Sequence, residues 1–209
     1  MTEPAVTVVT PWHDARQRNG MLERAAASVR AQTVPVRHIL AQDVYRMGAA
    51  MTRQYGLMEV ETEWTAFLDS DDEMDPDHIE HILACAVDTG ADYVYPWFRV
   101  VGGTDPFPMF FDRPWDDDAP HQTTITILVR TGLARLVGFQ EPPADSMVGG
   151  QRGGEDWHFT LGCVAAGAKI VHLPRRSWTW HHHGGGNTSG SPDRGDARTQ
   201  TGSRRPRHR

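Results

Sequence analysis

Three short runs of β-branched and apolar residues alternate with helical patterns near the start of the chain. The strand-like runs are Ala5–Thr10, Val36–Ala41 and Trp64–Leu68. Between them, the spacing of apolar residues predicts helices over Gly20–Gln32 and Gly48–Val60. Successive strands separated by helices need crossover connections, which build a parallel sheet with helices on its faces. The sequence therefore predicts a single α/β domain.

The rest of the chain predicts further helices and strands of the same domain. Helices are predicted over Pro76–Val87, Thr131–Leu136 and Glu155–Ala166. Strands are predicted over Tyr93–Val101, Thr123–Val129, Lys169–Leu173 and Ser177–His183. Long loops are predicted over Gly102–Pro120 and Glu141–Gly154. Because a proline lies inside Tyr93–Val101, that strand is expected to be at an edge or bulged.

Charge is unevenly distributed along the chain. Residues 184–209 contain six Arg and two Asp and carry +4, so the other 183 residues carry −10. Few apolar residues occur in this stretch, and we expect a basic, disordered tail over residues 190–209 after an ordered domain over residues 1–189. The acidic body excludes a broad nucleic-acid face, which leaves only the tail for such contact.

Features that would direct the chain to a membrane or out of the cell are absent from the sequence. No run of eighteen apolar residues occurs, so no transmembrane helix is predicted. The first residues do not resemble a signal peptide, and a cytoplasmic location is expected. Cys85 and Cys163 lie among apolar residues and are expected to be buried free thiols.

Polar segments follow all three of the first predicted strands. These segments are Pro11–Asp14, Asp43 and Asp69–Asp72. Ligands of parallel α/β sheets bind at the carboxyl ends of the strands, so the three segments are expected to converge on one site.

The acidic segment after the third strand has the composition of a metal site. Asp69 and Asp71 alternate at a turn, where their carboxylates can converge on a divalent cation that prefers oxygen ligands. The same residues also suit a simple turn before the helix that starts near Asp75-Pro76. The spacing alone favours neither interpretation.

The order and spacing of these motifs resemble the family 2 glycosyltransferases. The resemblance depends on Ser28–Thr33 (SVRAQT), His38–Asp43 (HILAQD), Arg53-Gln54 and Phe67–Asp72 (FLDSDD), and it extends over Val6–Ser189. It implies a glycosyltransferase-A fold, which is Rossmann-like with a mostly parallel mixed sheet flanked by helices. It also implies transfer of a sugar from a nucleotide-diphosphate donor, most commonly a UDP-sugar.

The resemblance assigns roles to residues at the strand ends. It implies a nucleotide-binding set of Pro11, His13, Asp14, Asp43, Arg53, Asp69 and Ser70. Of these, Arg53 is expected near the diphosphate, although a surface helix position would explain it as well. Asp71, with Asp69, is implied to bind Mn²⁺ or Mg²⁺. The chain departs from the family where Gln54 replaces the usual Asn and where Val44 follows Asp43 in a shortened connection.

A second pair of carboxylates opens the helix at Glu155. Acidic residues in a first helical turn compensate the helix dipole, which explains Glu155 and Asp156 without any catalytic role. However, Gly138–Glu141 followed by Glu155–Trp157 is similar to a family pattern in which the Asp is the catalytic base. The resemblance thus implies Asp156 as base, with Glu155 orienting the acceptor or supporting the loop.

Histidines and tryptophans supply further candidates. By resemblance, His183, or else His181, approaches the metal or the diphosphate, whereas a polar strand end would also explain both. Trp97 and Trp115 are candidates for lining an acceptor site.

The sequence therefore predicts a metal-dependent, inverting glycosyltransferase whose acceptor is not identified. Three alternatives remain open, namely a retaining glycosyltransferase of the same fold, a metal-dependent nucleotidyltransferase and a non-catalytic sugar-binding module. The anomeric configuration of the product would identify a retaining enzyme. Release of pyrophosphate would identify a nucleotidyltransferase. An Asp156→Asn variant with unaffected activity in the cell would identify a non-catalytic module.

Overall fold

A computed structural model describes residues 3–142, 147–148, 151–152 and 154–182. The strands are β1 Val6–Trp12, β2 Val36–Gln42, β3 Trp64–Phe67, β4 Glu73–Met74, β5 Tyr93–Val101, β6 Leu128–Arg130, β7 Met147–Val148, β8 Gln151–Arg152 and β9 Ile170–His181. The helices are α1 Asp14–Arg18, α2 Met21–Arg30, α3 Gly48–Met58, α4 His78–Thr89, α5 Thr131–Val137 and α6 Glu155–Ala165, with a 3₁₀ turn at Pro108–Phe110. The predicted tail lies outside the described residues.

Seven strands form one mixed sheet in the order β2-β1-β3-β6-β5-β9-β4. Strand β1 pairs in parallel with β2 and β3, and β5 pairs in parallel with β9. The pairs β3–β6, β5–β6 and β4–β9 are antiparallel, and β7 and β8 form a separate antiparallel pair. This architecture confirms the predicted α/β domain with a mixed sheet between helices.

Alternate side chains of the central strands enter two hydrophobic cores, one on each face of the sheet. Val9 of β1 and Phe67 of β3 contribute to the core that also contains buried residues of α3, α5 and α6. Val8 of β1 contributes to the other core, which includes buried residues of α2 and α4. This alternation follows from the period of two in a β-strand, and it places helices on both faces. None of the described helices has the length and apolar character needed to cross a membrane.

Several sequence-based boundaries differ from the structure. Strand β5 lies between β6 and β9, so the edge position considered for it is wrong, but its pairing register with β9 does shift around Pro96 as in a bulge. The two strands predicted on either side of Arg175 form the single long strand β9. Strand β6 includes only the end of the predicted Thr123–Val129 run. The short elements α1 and β4 were not predicted.

Helix α3 packs closely on the sheet through Gly56. A Cβ atom added there would lie 2.5 Å from Val9 Cγ1 and 3.1 Å from Ala41 Cβ, both on strands that α3 covers. Glycine in a helix interior normally costs stability, so this position is explained by close packing. The contact fixes the depth of α3, which carries Arg53 toward the strand ends.

We predict that Gly56→Ala lowers the free energy of unfolding by about 1–3 kcal/mol, because overpacking outweighs the helix propensity of alanine. Gly132→Ala in α5 is the matched control, since a Cβ there meets nothing within 4 Å. The control should be neutral or slightly stabilising in urea denaturation. Equal effects of both substitutions would contradict this account of α3 packing.

Candidate functional site

One cavity of about 360 Å³ lies where β1, β2 and β3 end. Residues after these three strands line it, as expected for a sheet of this kind. Further lining comes from residues 122–126, the start of α6 and two tryptophans of β9. The lining residues are Pro11, Trp12, His13, Arg16, Asp43, Gly48, Ala49, Thr52, Arg53, Asp69, Ser70, Asp71, Asp72, Phe107, Gln122, Thr123, Thr124, Ile125, Thr126, Gly154, Glu155, Asp156, Trp178 and Trp180.

The structure brings together most of the residues singled out from the sequence. Nine line the cavity, namely Pro11, His13, Asp43, Arg53, Asp69, Ser70, Asp71, Glu155 and Asp156. Asp14 does not line it but lies exposed on α1, where its Oδ1 accepts a hydrogen bond of 3.1 Å from Gln42 Nε2. His183 lies outside the described residues. His181 contacts Glu73 through Nε2 at 2.7 Å and is not a lining residue.

The guanidinium of Arg53 connects the two acidic halves of the site. It is buried, and it donates to Asp69 Oδ1 at 2.5 Å and to Glu155 Oε1 at 2.7 Å. Burial by itself lowers the pKa of Arg53, but the two carboxylates raise that pKa above its usual value. Arg53 thus ties α3 to the end of β3 and to the start of α6, although 102 residues separate Arg53 from Glu155.

Three carboxylates crowd the turn after β3. Oxygen atoms of Asp69, Asp71 and Asp72 all lie within 4.8 Å of one another. Burial, followed by the charges of Asp69 and Asp71, holds the pKa of Asp72 well above its usual range. A hard divalent cation with oxygen ligands would relieve this repulsion, so the donor set fits Mg²⁺ or Mn²⁺.

Two arginines hold this acidic turn from the side of α1 and α2. Arg16 Nη2 lies 2.9 Å from Asp71 Oδ2, and Arg24 Nη2 donates to the backbone oxygen of Asp71 at 2.7 Å. Arg24 Nε also lies 3.0 Å from Glu73 Oε1. Arg16 was not singled out from the sequence, because α1 lacks the apolar spacing that reveals a helix. Arg24 lies in the predicted helix over Gly20–Gln32, but nothing in the sequence indicates that its side chain reaches the turn after β3.

The two carboxylates that begin α6 are in different electrostatic states. Burial by itself raises the pKa of Glu155, but the adjacent Arg53 outweighs this effect and lowers it. Burial and then the charge of Glu155 raise the pKa of Asp156 to about 6, and the charge of Asp69 contributes in the same direction. Carboxylates whose pKa values are separated by their surroundings are suited to distinct acid and base roles.

The backbone before α6 positions the Asp156 carboxylate. Asp156 Oδ1 accepts a hydrogen bond of 2.8 Å from the N–H of Trp157. A Cβ atom added to Gly154 would lie 2.8 Å from the same oxygen. The residue before the helix must therefore be glycine for the carboxylate to keep this position.

Asp43 organises the connection between β2 and α3. Its Oδ1 accepts from the N–H of Met47 at 2.7 Å, and its Oδ2 accepts from the N–H of Gly48 at 3.0 Å. Gly48 has a φ of 88°, which favours glycine at the start of α3. The shortened connection noted in the sequence is thus closed by Asp43 itself.

Gln54, the other departure from the family pattern, has a structural role. Its Oε1 accepts a hydrogen bond of 2.8 Å from the N–H of Phe139. Phe139 in turn stacks on Phe159 of α6, with ring centroids 4.2 Å apart. Gln54 therefore fixes the segment after α5 against the core below α6.

Aromatic residues form part of the cavity lining. Trp178 and Trp180 of β9 line the cavity together with Phe107. Trp97 and Trp115, which the sequence suggested for an acceptor site, do not line it. Instead, Trp97 Nε1 donates to Asp105 and Trp115 Nε1 donates to Asp117, at 2.8 and 2.7 Å.

Comparisons with known proteins agree with this fold. The model of the family described as glycosyl transferase family 2 matches residues 22–140, more than half of the chain. No curated protein sequence matches. Among solved structures, S. aureus TarS 1–349 superposes with a TM-score of 0.68 at 16% identity, over 84% of this chain and 60% of that one.

Two further structures of TarS 1–349 contain ligands. The complex with UDP gives a TM-score of 0.69 at 17% identity, over 85% of this chain and 60% of that one. The complex with UDP-GlcNAc gives a TM-score of 0.70 at 17% identity, over 87% of this chain and 59% of that one. At this identity the likeness establishes the shared fold, and this chain spans about 60% of the length of these structures.

We predict that Arg53→Gln lowers the free energy of unfolding by about 3–5 kcal/mol, since it leaves Asp69 and Glu155 without their counter-charge. Arg37→Gln is the control, because Arg37 pairs with Glu61 on the exposed surface and should matter by less than about 1 kcal/mol. Chemical denaturation measures both. A loss at Arg53 no larger than at Arg37 would contradict the bridging role.

Proposed function

This chain belongs to glycosyl transferase family 2, and we propose that its cavity binds a sugar nucleotide and transfers the sugar to an acceptor hydroxyl. The observation that supports this proposal most directly is that the acidic turn and the Asp156 carboxylate line one cavity. They lie close enough for the charge of Asp69 to raise the pKa of Asp156. A UDP-sugar is the donor we favour, because UDP and UDP-GlcNAc bind to the similar TarS structures.

The donor side of the reaction is assigned to the turn after β3. Asp71 and Asp69 would hold Mn²⁺ or Mg²⁺ with carboxylate oxygens, and the buried Asp72 adds negative charge beside them. A divalent cation bound there would stabilise the negative charge that develops on the leaving diphosphate. Arg53 keeps the Asp69 carboxylate fixed at the end of β3 through its 2.5 Å hydrogen bond.

The acceptor side is assigned to the start of α6. Asp156 takes the proton from the acceptor hydroxyl while the hydroxyl oxygen forms a bond to the anomeric carbon. The bond from that carbon to the diphosphate breaks at the same time, the nucleoside diphosphate leaves, and the configuration inverts. Glu155, held by Arg53, orients the acceptor. With a pKa of about 6, Asp156 is ionised near neutral pH and still basic enough to accept a proton.

We predict that UDP binds tightly only in the presence of a divalent cation. Isothermal titration calorimetry with UDP and with UDP-GlcNAc, in Mn²⁺ or in EDTA, measures this dependence. Asp71→Asn should weaken binding in Mn²⁺ at least about tenfold and should not weaken binding in EDTA. Asp88→Asn, on the exposed surface of α4, is the matched control. Equal affinities in Mn²⁺ and EDTA would contradict the metal assignment.

For catalysis, we predict that Asp156→Asn retains nucleotide binding but loses about 10²–10⁴-fold in turnover, the usual contribution of a general base. In the wild type, kcat/KM should rise with pH through about 6, as Asp156 loses its proton. A product of retained configuration, or a variant with normal turnover, would contradict the assignment.

The same variant should be more stable than the wild type. Because burial raises the pKa of Asp156 from 3.8 to about 6, the folded state binds its proton more tightly than the unfolded state. Ionisation therefore opposes folding, and stability falls as pH rises from 4 to 6. At pH 8 the Asn variant should gain about 1–3 kcal/mol, and at pH 3 the gain should vanish. Thermal unfolding at both pH values measures this difference.

A further inference from the structure

Arg16 is the cationic side chain that lies nearest to the carboxylate expected to bind metal. Its Nη2 is 2.9 Å from Asp71 Oδ2, and the two side chains are only 15% and 12% exposed. Arg16 also lines the cavity. A guanidinium thus offsets the charge of the carboxylate that a divalent cation would need.

We propose that Arg16 is an exchangeable counter-cation, which pairs with Asp71 in the free protein and with the donor's diphosphate once a divalent cation occupies Asp71. This inference rests on the proposed function and adds a residue to it. When metal and donor are bound, Arg16 binds the nucleotide. When they are not, Arg16 competes with the metal for Asp71.

Repulsion between positive charges causes Arg16 to exchange Asp71 for another partner when a divalent cation binds. A guanidinium and a divalent cation at one carboxylate repel each other strongly in a partly buried site, where the effective dielectric constant is well below that of water. Metal binding at Asp71 therefore drives Arg16 away from that oxygen. The displaced guanidinium needs another anion, and a diphosphate accepts its forked donors well.

No other arginine or lysine in the described lining is available for the diphosphate. Within the described part of the chain, Arg16 and Arg53 are the only arginines or lysines that line the cavity. Both guanidinium arms of Arg53 are engaged, one by Asp69 and one by Glu155. Arg53 is also buried and cannot leave without exposing those carboxylates. Arg16 is therefore the cation that can turn toward a ligand.

Local structure allows Arg16 to move while the acidic turn stays in place. Helix α1 has five residues and none of them is buried, so its position costs little to change. Gly20 follows in the left-handed region with a φ of 76° and separates α1 from α2. Arg24, in contrast, holds the backbone oxygen of Asp71, so the turn keeps its shape when Arg16 leaves.

The exchange makes metal and nucleotide binding cooperative. Before the nucleotide arrives, Arg16 competes with the metal for Asp71. With the nucleotide bound, the guanidinium has a new partner, and the competition ends. Each ligand should therefore strengthen the binding of the other by more than their direct contact provides.

The test is calorimetry on the full chain with Arg16→Gln, Arg16→Lys and the control Arg18→Gln, which removes an exposed arginine from the same helix. The probes are Mn²⁺ alone, and UDP in saturating Mn²⁺. Arg16→Gln should bind Mn²⁺ about five- to tenfold tighter and UDP about tenfold weaker than the wild type. Arg16→Lys restores the charge and should return both affinities toward wild type, and Arg18→Gln should change neither.

Opposite shifts of the two affinities distinguish an exchangeable cation from a purely structural one, because a damaged turn would weaken both ligands together. If the wild type binds UDP only with Mn²⁺ but Arg16→Gln matches it, or loses both affinities, the role of Arg16 is overturned and the proposed function remains. If the wild type binds UDP neither with nor without Mn²⁺, the proposed function and the inference are both wrong.

Discussion

The buried guanidinium of Arg53 is the interaction on which the site depends. It lies between the carboxylates of Asp69, after β3, and Glu155, at the start of α6. A buried charge of this kind is tolerated only when it is paired, so the positions of α3, the β3 turn and α6 are coupled. The pairing keeps Glu155 ionised, and the ionised Glu155 in turn helps to raise the pKa of Asp156. After burial, this ion network is therefore a contributor to the raised pKa of the proposed base.

Negative charge dominates the cavity. Five carboxylates line it around the acidic turn and the start of α6, whereas Arg16 and Arg53 are the only described arginines or lysines in its lining. A nucleotide diphosphate brings more negative charge, so it could bind there only with cations that offset the repulsion. This imbalance explains why the proposed function needs a divalent cation and why Arg16 matters to nucleotide binding.

The sequence was sufficient for the parts of the fold whose apolar spacing is regular, such as β1 to β3 and the helices between them. It was also sufficient for the convergence of polar segments at the strand ends, because that follows from a parallel sheet. It was insufficient where tertiary contacts decide. The run from Thr123 to Thr126 has the composition of a strand, yet it lines the cavity instead of extending β6. Helix α1 buries nothing and so leaves no periodic pattern. In the sequence, Arg53 resembles a surface residue, because its partner Glu155 is 102 residues away and reaches it only in the folded chain.

In the proposed function, one cavity holds the donor diphosphate against the acidic turn and the reacting sugar beside Asp156. A crystal structure with Mn²⁺ and a non-transferable UDP-sugar analogue would show this arrangement. We expect the cation on carboxylate oxygens of Asp69 and Asp71, the diphosphate on the cation, and Asp156 facing the anomeric carbon from the side away from the diphosphate. A nucleotide bound outside this cavity, or an anomeric carbon that Asp156 does not face, would contradict it.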